Sequence, residues 1–252
     1  MGKAKAIALL GSALLALLAL VPTGQAEVSQ RNGVRVAVDG SLSPKRLPRR
    51  GSAPVSVSVS GEISPLSEAA LPQLQKMTVA INSAGQLNLK GIPHCRIGHI
   101  NPSTNQEALE ACRSSLIGEG NFSADVKLPE QSPFPSEGKL LAFNGTIGGT
   151  PAIFGHIYGT KPLPTSFVLP FRIKQQKGTY GTVLEAAFPR ATGEWGYVTG
   201  ISLDLDKRFL SAGCPAPKGI SRVPFPLMQT NFSFAGGLNL TNTLTRSCKA
   251  KG

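Results

Sequence analysis

From residue 33 onward, apolar and polar residues of this chain alternate in steps of two, and that habit excludes most folds. Val34, Val36 and Val38 in "GVRVAV" share one face, and in "APVSVSVSG" Val55, Val57 and Val59 stand against Ser56, Ser58 and Ser60. Side chains of an extended strand point to opposite sides in turn, so such runs bury one face and wet the other. Further strands are expected in "KMTVAIN", "NFSADVKL", "KLLAFNGTI", "AIFGHIYG", "SFVLPFRI", "YGTVLEAAF", "GYVTGISLDL", "TNFSFAG" and "LNLTNTLTRS". Glycines and prolines, 28 and 20 in number, fall in clusters between them and supply the turns. Alternating rather than continuous apolar runs favour antiparallel pairing. The expected fold is therefore mainly β, an antiparallel β-sandwich-like domain over residues 55–252 with one short helix.

That helix lies in "HCRIGHINPSTNQEALEACRSSLIG", residues 94–118. Thr104 followed by Glu107 fits a capping box and Gly118 a C-terminal stop, which predicts a helix over about 105–117. Ala108, Leu109, Cys112 and Leu116 recur at three and four residues, so Cys112 points toward the body of the protein. His94, Cys95, His99 and Cys112 raise the question of a metal. Structural zinc sites carry paired ligands at set spacings, and adjacent His94 and Cys95 fit one ion poorly. A covalent staple is expected instead, Cys95 with Cys112 and Cys214 with Cys248, the sequence-local one of three pairings. No metal and no cofactor is expected.

The first 26 residues have the three parts of a secretory leader: Lys3 and Lys5, an apolar run over 7–21, then Pro22, Gly24 and Ala26. The run is shorter than the roughly 20 residues that span a bilayer, so cleavage after Ala26 is expected, with no transmembrane segment in the mature chain. Losing Lys3 and Lys5 lowers the formal charge from +12 to +10. Such a surface outside the cell suits an anionic envelope polymer, though a basic surface also serves solubility. Residues 27–54 are expected to hold an N-terminal strand and a basic Pro-rich segment in which Lys45, Arg46, Arg49 and Arg50 contact an anionic partner or simply remain solvated. With aromatic residues at 6% and no recognised motif, no specific nucleic acid is expected as a partner.

Catalytic sets are sparse. The nucleophile elbow, the zinc-protease motif and the phosphate-binding loop are all missing. "SAGC" at 211–214 resembles the cysteine motif of L,D-transpeptidases, but Ala212 stands where those enzymes carry a histidine, and the nearest upstream imidazole is His156. The enzymatic alternative is thus a wall-modifying cysteine enzyme using Cys214. Asp204 and Asp206 are expected on the wet face of one strand. His156 and Tyr158 share a strand face, and Trp195 with Tyr197 offers either a stacking platform for a sugar or an anchor of the core. Four sequons stand at Asn121, Asn144, Asn231 and Asn239.

Taken together, "LPRRGSAPVSVSVSG", "GKLLAFNG", "HIYGTKPLPTSFVLPF", "WGYVTGISL" and "SAGCPAPKG" resemble a group of exported hypothetical proteins of actinobacteria over about residues 47–248. The resemblance implies a secreted bacterial protein with its sequons unused and assigns no functional residue. The expected function is a noncatalytic module, secreted or attached to the cell envelope, that binds an anionic or glycan ligand. A purely structural surface protein is the third alternative.

Overall fold

The computed structural model describes residues 26–68, 70–127, 130–161, 163–188 and 196–251. The leader, apart from Ala26, and Trp195 lie outside them. The chain runs through β1 (Glu27–Arg31), β2 (Val34–Ser43), β3 (Arg46–Pro48), β4 (Ala53–Pro54), β5 (Ser56–Pro65), β6 (Leu74–Asn82) and β7 (Gly85–Leu87) before its helix, α1 (Asn105–Cys112). It continues through β8 (Leu116–Val126), β9 (Phe134–Ile147), β10 (Thr150–Gly159), β11 (Thr165–Gln175) and β12 (Tyr180–Ala187). The remaining strands are β13 (Gly196–Leu205), β14 (Leu210–Ala212), β15 (Arg222–Phe234) and β16 (Asn239–Lys251).

The protein is mainly β with one short helix, but it is not a sandwich. Thirteen strands form a single sheet in the order β1-β2-β5-β13-β8-β9-β10-β11-β12-β6-β15-β16-β3, and β4-β14-β7 form a small second one. Every pairing is antiparallel except that of β3 with β16. The large sheet curls into a half-barrel whose apolar face is turned inward on itself. Alternation gives each strand one apolar face without stating what that face will meet, which is why a sandwich was the expectation.

Curling is helped by glycine on the inner face. Gly118 and Gly120 of β8 stand opposite the inward Leu205 and Leu203 of β13. A Cβ on Gly120 would lie 1.9 Å from the Ser202 carbonyl oxygen, and one on Gly118 2.6 Å from that of Asp204. Only glycine lets the neighbouring backbone come so near. Two hairpins also close on two-residue turns with positive φ at both positions, Asn32-Gly33 between β1 and β2 and Gly148-Gly149 between β9 and β10.

The two flanks of the curled sheet meet along a seam made of side chains. Asn242 of β16, 4% exposed, donates to the carbonyl oxygens of Glu27 (2.8 Å) and Val36 (3.3 Å), and accepts from the Ser29 hydroxyl at 2.8 Å. One turn of the pleat further on, Arg246 donates to the Gly40 carbonyl at 2.7 Å and pairs with Asp39. No backbone ladder joins β1 or β2 to β16 among the described residues.

On the outer face, α1 covers β9 and β10 and builds a second core from Cys95, Ile100, Ala108, Cys112, Leu141, Phe143, Phe154 and Val168. The capping box is present: Thr104 N–H donates to Glu107 Oε2 at 2.7 Å, and Glu107 N–H to Thr104 Oγ1 at 3.2 Å. The helix ends earlier than the 105–117 expected, passing into a 3-10 turn at Arg113–Ser115, because Leu116 already belongs to β8. Leu116 still packs on this second core, as its spacing suggested.

Both disulfides are formed with the local pairing, Cys95–Cys112 and Cys214–Cys248. The first holds α1 to the sheet. The second ties the loop after β14 to the last strand.

Candidate functional site

Part of the basic Pro-rich segment is bound into the fold. Leu47 is fully buried, β3 pairs with β16, and the Arg49 guanidinium is spent on backbone carbonyls, those of Ala216 at 2.7 Å, Ile220 at 3.0 Å and Pro217. Arg46 and Arg50 are exposed. Lys45 borders a polar pocket of about 230 Å³ on the seam beside Asp39 and Arg246. Arg49 is thus committed to the fold, while Lys45, Arg46 and Arg50 stay exposed.

His156 lies on the outer face of β10, wholly buried. Its Nε2 is 3.0 Å from the Ser103 carbonyl oxygen and 3.2 Å from the Ser103 hydroxyl, while Nδ1 has no partner. Burial pushes its pKa below the ordinary histidine range, and the hydrogen bond to the Ser103 carbonyl works against that shift. A neutral ring with its proton on Nε2 donates to the Ser103 carbonyl oxygen, which can only accept. Cys214 is 1% exposed and joined to Cys248, so no thiolate exists there for His156 to activate. His94 and His99 are both exposed, with Cys95 buried in its disulfide. Among the described residues no three His, Cys, Asp or Glu side chains gather as a metal would require. Asp206 lies in the turn after β13, where bonds from the Arg208 backbone and side chain hold its carboxyl below the usual range. Tyr197 is half-buried against the main core, and its intended companion Trp195 is outside the described residues.

Tyr158 is different. It stands in a row of outward side chains that crosses five adjacent strands: Ser60 of β5, Ser202 of β13, Asn121 of β8, Lys139 of β9 and Tyr158 of β10 are direct cross-strand partners. The next row repeats the arrangement with Glu62, Gly200, Ser123 and Glu137. These two rows floor an open groove of about 730 Å³, with Asn105 at the start of α1 among its lining residues. Lys139 is paired with Glu119 at 2.5 Å, so the groove's own balance is not cationic. Hydroxyl, amide, carboxylate and phenol groups alternate at the spacing between strands, about 4.8 Å. Such a surface can make many hydrogen bonds in parallel with one flat ring contact.

The sequence indicated several groove residues without revealing that they belong together. Ser60 is on the wet face of its strand and Asn121 within a sequon, but the strand order that brings β5, β13, β8, β9 and β10 side by side is not visible in spacing. A second sequon, Asn144, is buried at 2% exposure and donates to the carbonyls of Ile92 and Pro93, so it has a structural role.

The opposite face of the same sheet encloses a second feature. The inner side chains leave an apolar hollow of about 150 Å³, walled mostly by aliphatic residues of β5, β6, β9, β12, β13 and β15, with Phe171 and Phe232 also in the lining.

No family model matches this chain, and no curated protein or solved structure is similar to it. No helix among the described residues is long and apolar enough to cross a membrane. The two disulfides fit an oxidising compartment.

Proposed function

We propose that this chain is a noncatalytic binding module of the extracellular space or cell envelope, and that its outer groove takes a glycan. One observation carries the reading: the row Ser60–Ser202–Asn121–Lys139–Tyr158, continuous across five strands. A sugar chain presents hydroxyls on both edges of each ring and weakly apolar faces, which calls for interleaved donors and acceptors plus an aromatic surface. Strands hold such groups rigidly, so little order has to be imposed on binding. The groove contains Glu62 and Glu137 against a single lysine already paired, which favours a neutral glycan over an anionic polymer. The leader-like N-terminus and the resemblance to exported actinobacterial proteins support the location. Cys214 and Cys248 being bonded to each other removes the support for the cysteine-enzyme alternative.

Co-sedimentation of the mature protein with an envelope fraction, over a salt series, tests this. Binding is expected to persist at about 0.5 M salt, where exposed charges are screened within a few ångströms, and to weaken about tenfold in Tyr158→Ala. Binding that vanishes with salt would assign the interaction to surface charge instead. No binding at low salt would leave the purely structural alternative.

A further inference from the structure

The aliphatic side chains that face the inside of the curled sheet are not all covered. Val57, Val59, Val79, Ile201, Leu203 and Leu205 point inward and line the hollow, yet the described residues leave them only partly buried. Protein interiors ordinarily pack to the density of organic crystals, and an unfilled apolar volume loses the contacts its walls would otherwise make. Water is a poor filler for it. A cavity of about 150 Å³ with aliphatic walls stays dry and has room for a ring the size of benzene.

One group in the lining breaks the apolar pattern. Thr230 of β15 is 3% exposed, and its hydroxyl has no hydrogen-bond partner. A buried hydroxyl left unpaired is costly, and a threonine here is worth less to the fold than an isosteric valine unless something supplies the missing partner. The only other hydroxyls lining the hollow belong to Ser60 and Ser202, whose strand positions place them in the outer row.

We infer that the hollow is a second binding site, for a small apolar molecule of about six carbon atoms that carries one hydroxyl and bonds through it to Thr230. The volume sets the size, the aliphatic walls set the apolar body, and the unpaired hydroxyl sets the single polar group. This site is on the opposite sheet face from the groove, so the two readings stand or fall separately.

Phenol and toluene are the probes, because they match in shape and differ in whether a hydroxyl is present. Each is titrated into the mature protein while the methyl signals of Val, Leu and Ile are followed by NMR. Both are expected to shift the methyls of Val59, Ile201 and Leu203. In Thr230→Val the ratio of phenol to toluene affinity should fall about tenfold, the factor one hydrogen bond of about 1.4 kcal/mol represents. An unchanged ratio overturns the role of Thr230. Absence of methyl shifts with either probe at millimolar concentration overturns the site. Ala142→Leu, which adds bulk to the lining, should abolish both shifts; retained binding in a variant that still melts cooperatively would also overturn it. Tyr158→Ala should leave phenol binding as it is, whatever it does to glycan binding.

Discussion

If the half-barrel is held shut by Asn242, replacing that residue with alanine should open it from the β1 side. The amide makes three hydrogen bonds across the seam, to Glu27 O, Val36 O and Ser29 Oγ, at 2.8, 3.3 and 2.8 Å. Each such bond contributes about 1 kcal/mol net, and Val36 O lies in the dry interior, where a lost partner costs more than average. The expected loss is about 3 kcal/mol. For a domain of this size each kcal/mol moves the melting temperature by about 2–4 °C, so Asn242→Ala should melt about 6–12 °C lower. The second readout is local. Hydrogen exchange should quicken in β1 (27–31) well before it does in β9 or β10, because β1 is an edge strand whose only ladder is with β2. A melting temperature within about 2 °C of the parent, with unchanged exchange in β1, would refute the idea that this seam closes the sheet.

Other expectations concern the rest of the frame. Reducing both disulfides should destabilise the protein; the 17-residue and 34-residue separations correspond to about 3 and 4 kcal/mol by loop entropy, checked by denaturant melts with and without reductant. Gly120→Ala should cost about 3 kcal/mol, the upper range for overpacking, because its Cβ would overlap the Ser202 carbonyl; a neutral result in a denaturant melt would mean the sheet is less tightly curled than described. His156 has a folded pKa below the unfolded value of about 6.5, so the unfolded chain takes up the proton first as pH falls. Stability should be full above about pH 6.5 and decline below it toward the folded value, and His156→Gln should flatten that decline in denaturant melts. The lowered carboxylates, Glu107, Glu185 and Asp206, lose their contribution only below about pH 4.5, outside this window.

Much of the local structure could be read directly from the residues. The valines of "GVRVAV" and "APVSVSVSG" face inward as their alternation required, and each expected strand from "KMTVAIN" to "LNLTNTLTRS" overlaps an observed one, with "NFSADVKL", "YGTVLEAAF", "TNFSFAG" and "LNLTNTLTRS" reaching a residue or two beyond it. Thr104 and Glu107 gave the start of α1, and cysteine spacing gave both disulfides. Shape was not legible. Period two says which residues face the same way, but it does not distinguish two facing sheets from one that wraps round. The cue was present in the inward glycines at 118 and 120, yet their inward position is known only once β8 is set against β13. The same blindness applies to the groove. Ser60, Asn121, Lys139, Tyr158 and Ser202 are scattered over 142 positions of sequence and meet only through strand order. In the basic segment the arginines look alike in sequence, whereas Arg49 is a bracket for three carbonyls.

The helix stapled over β9 and β10 has an effect on how these two strands can change. Along β5, for example, apolar burial is on one surface only. On β9 Leu140 and Ala142 belong to the inner core while Leu141 and Phe143 belong to the outer one, and on β10 Ile153 and Phe154 divide in the same way. Both surfaces are committed to apolar packing, so a slip of one residue would drive phenylalanines into the hollow and strand aliphatics beneath the helix. This hairpin is thus the part of the molecule where register is fixed twice over, and where inherited variation has the fewest places to settle.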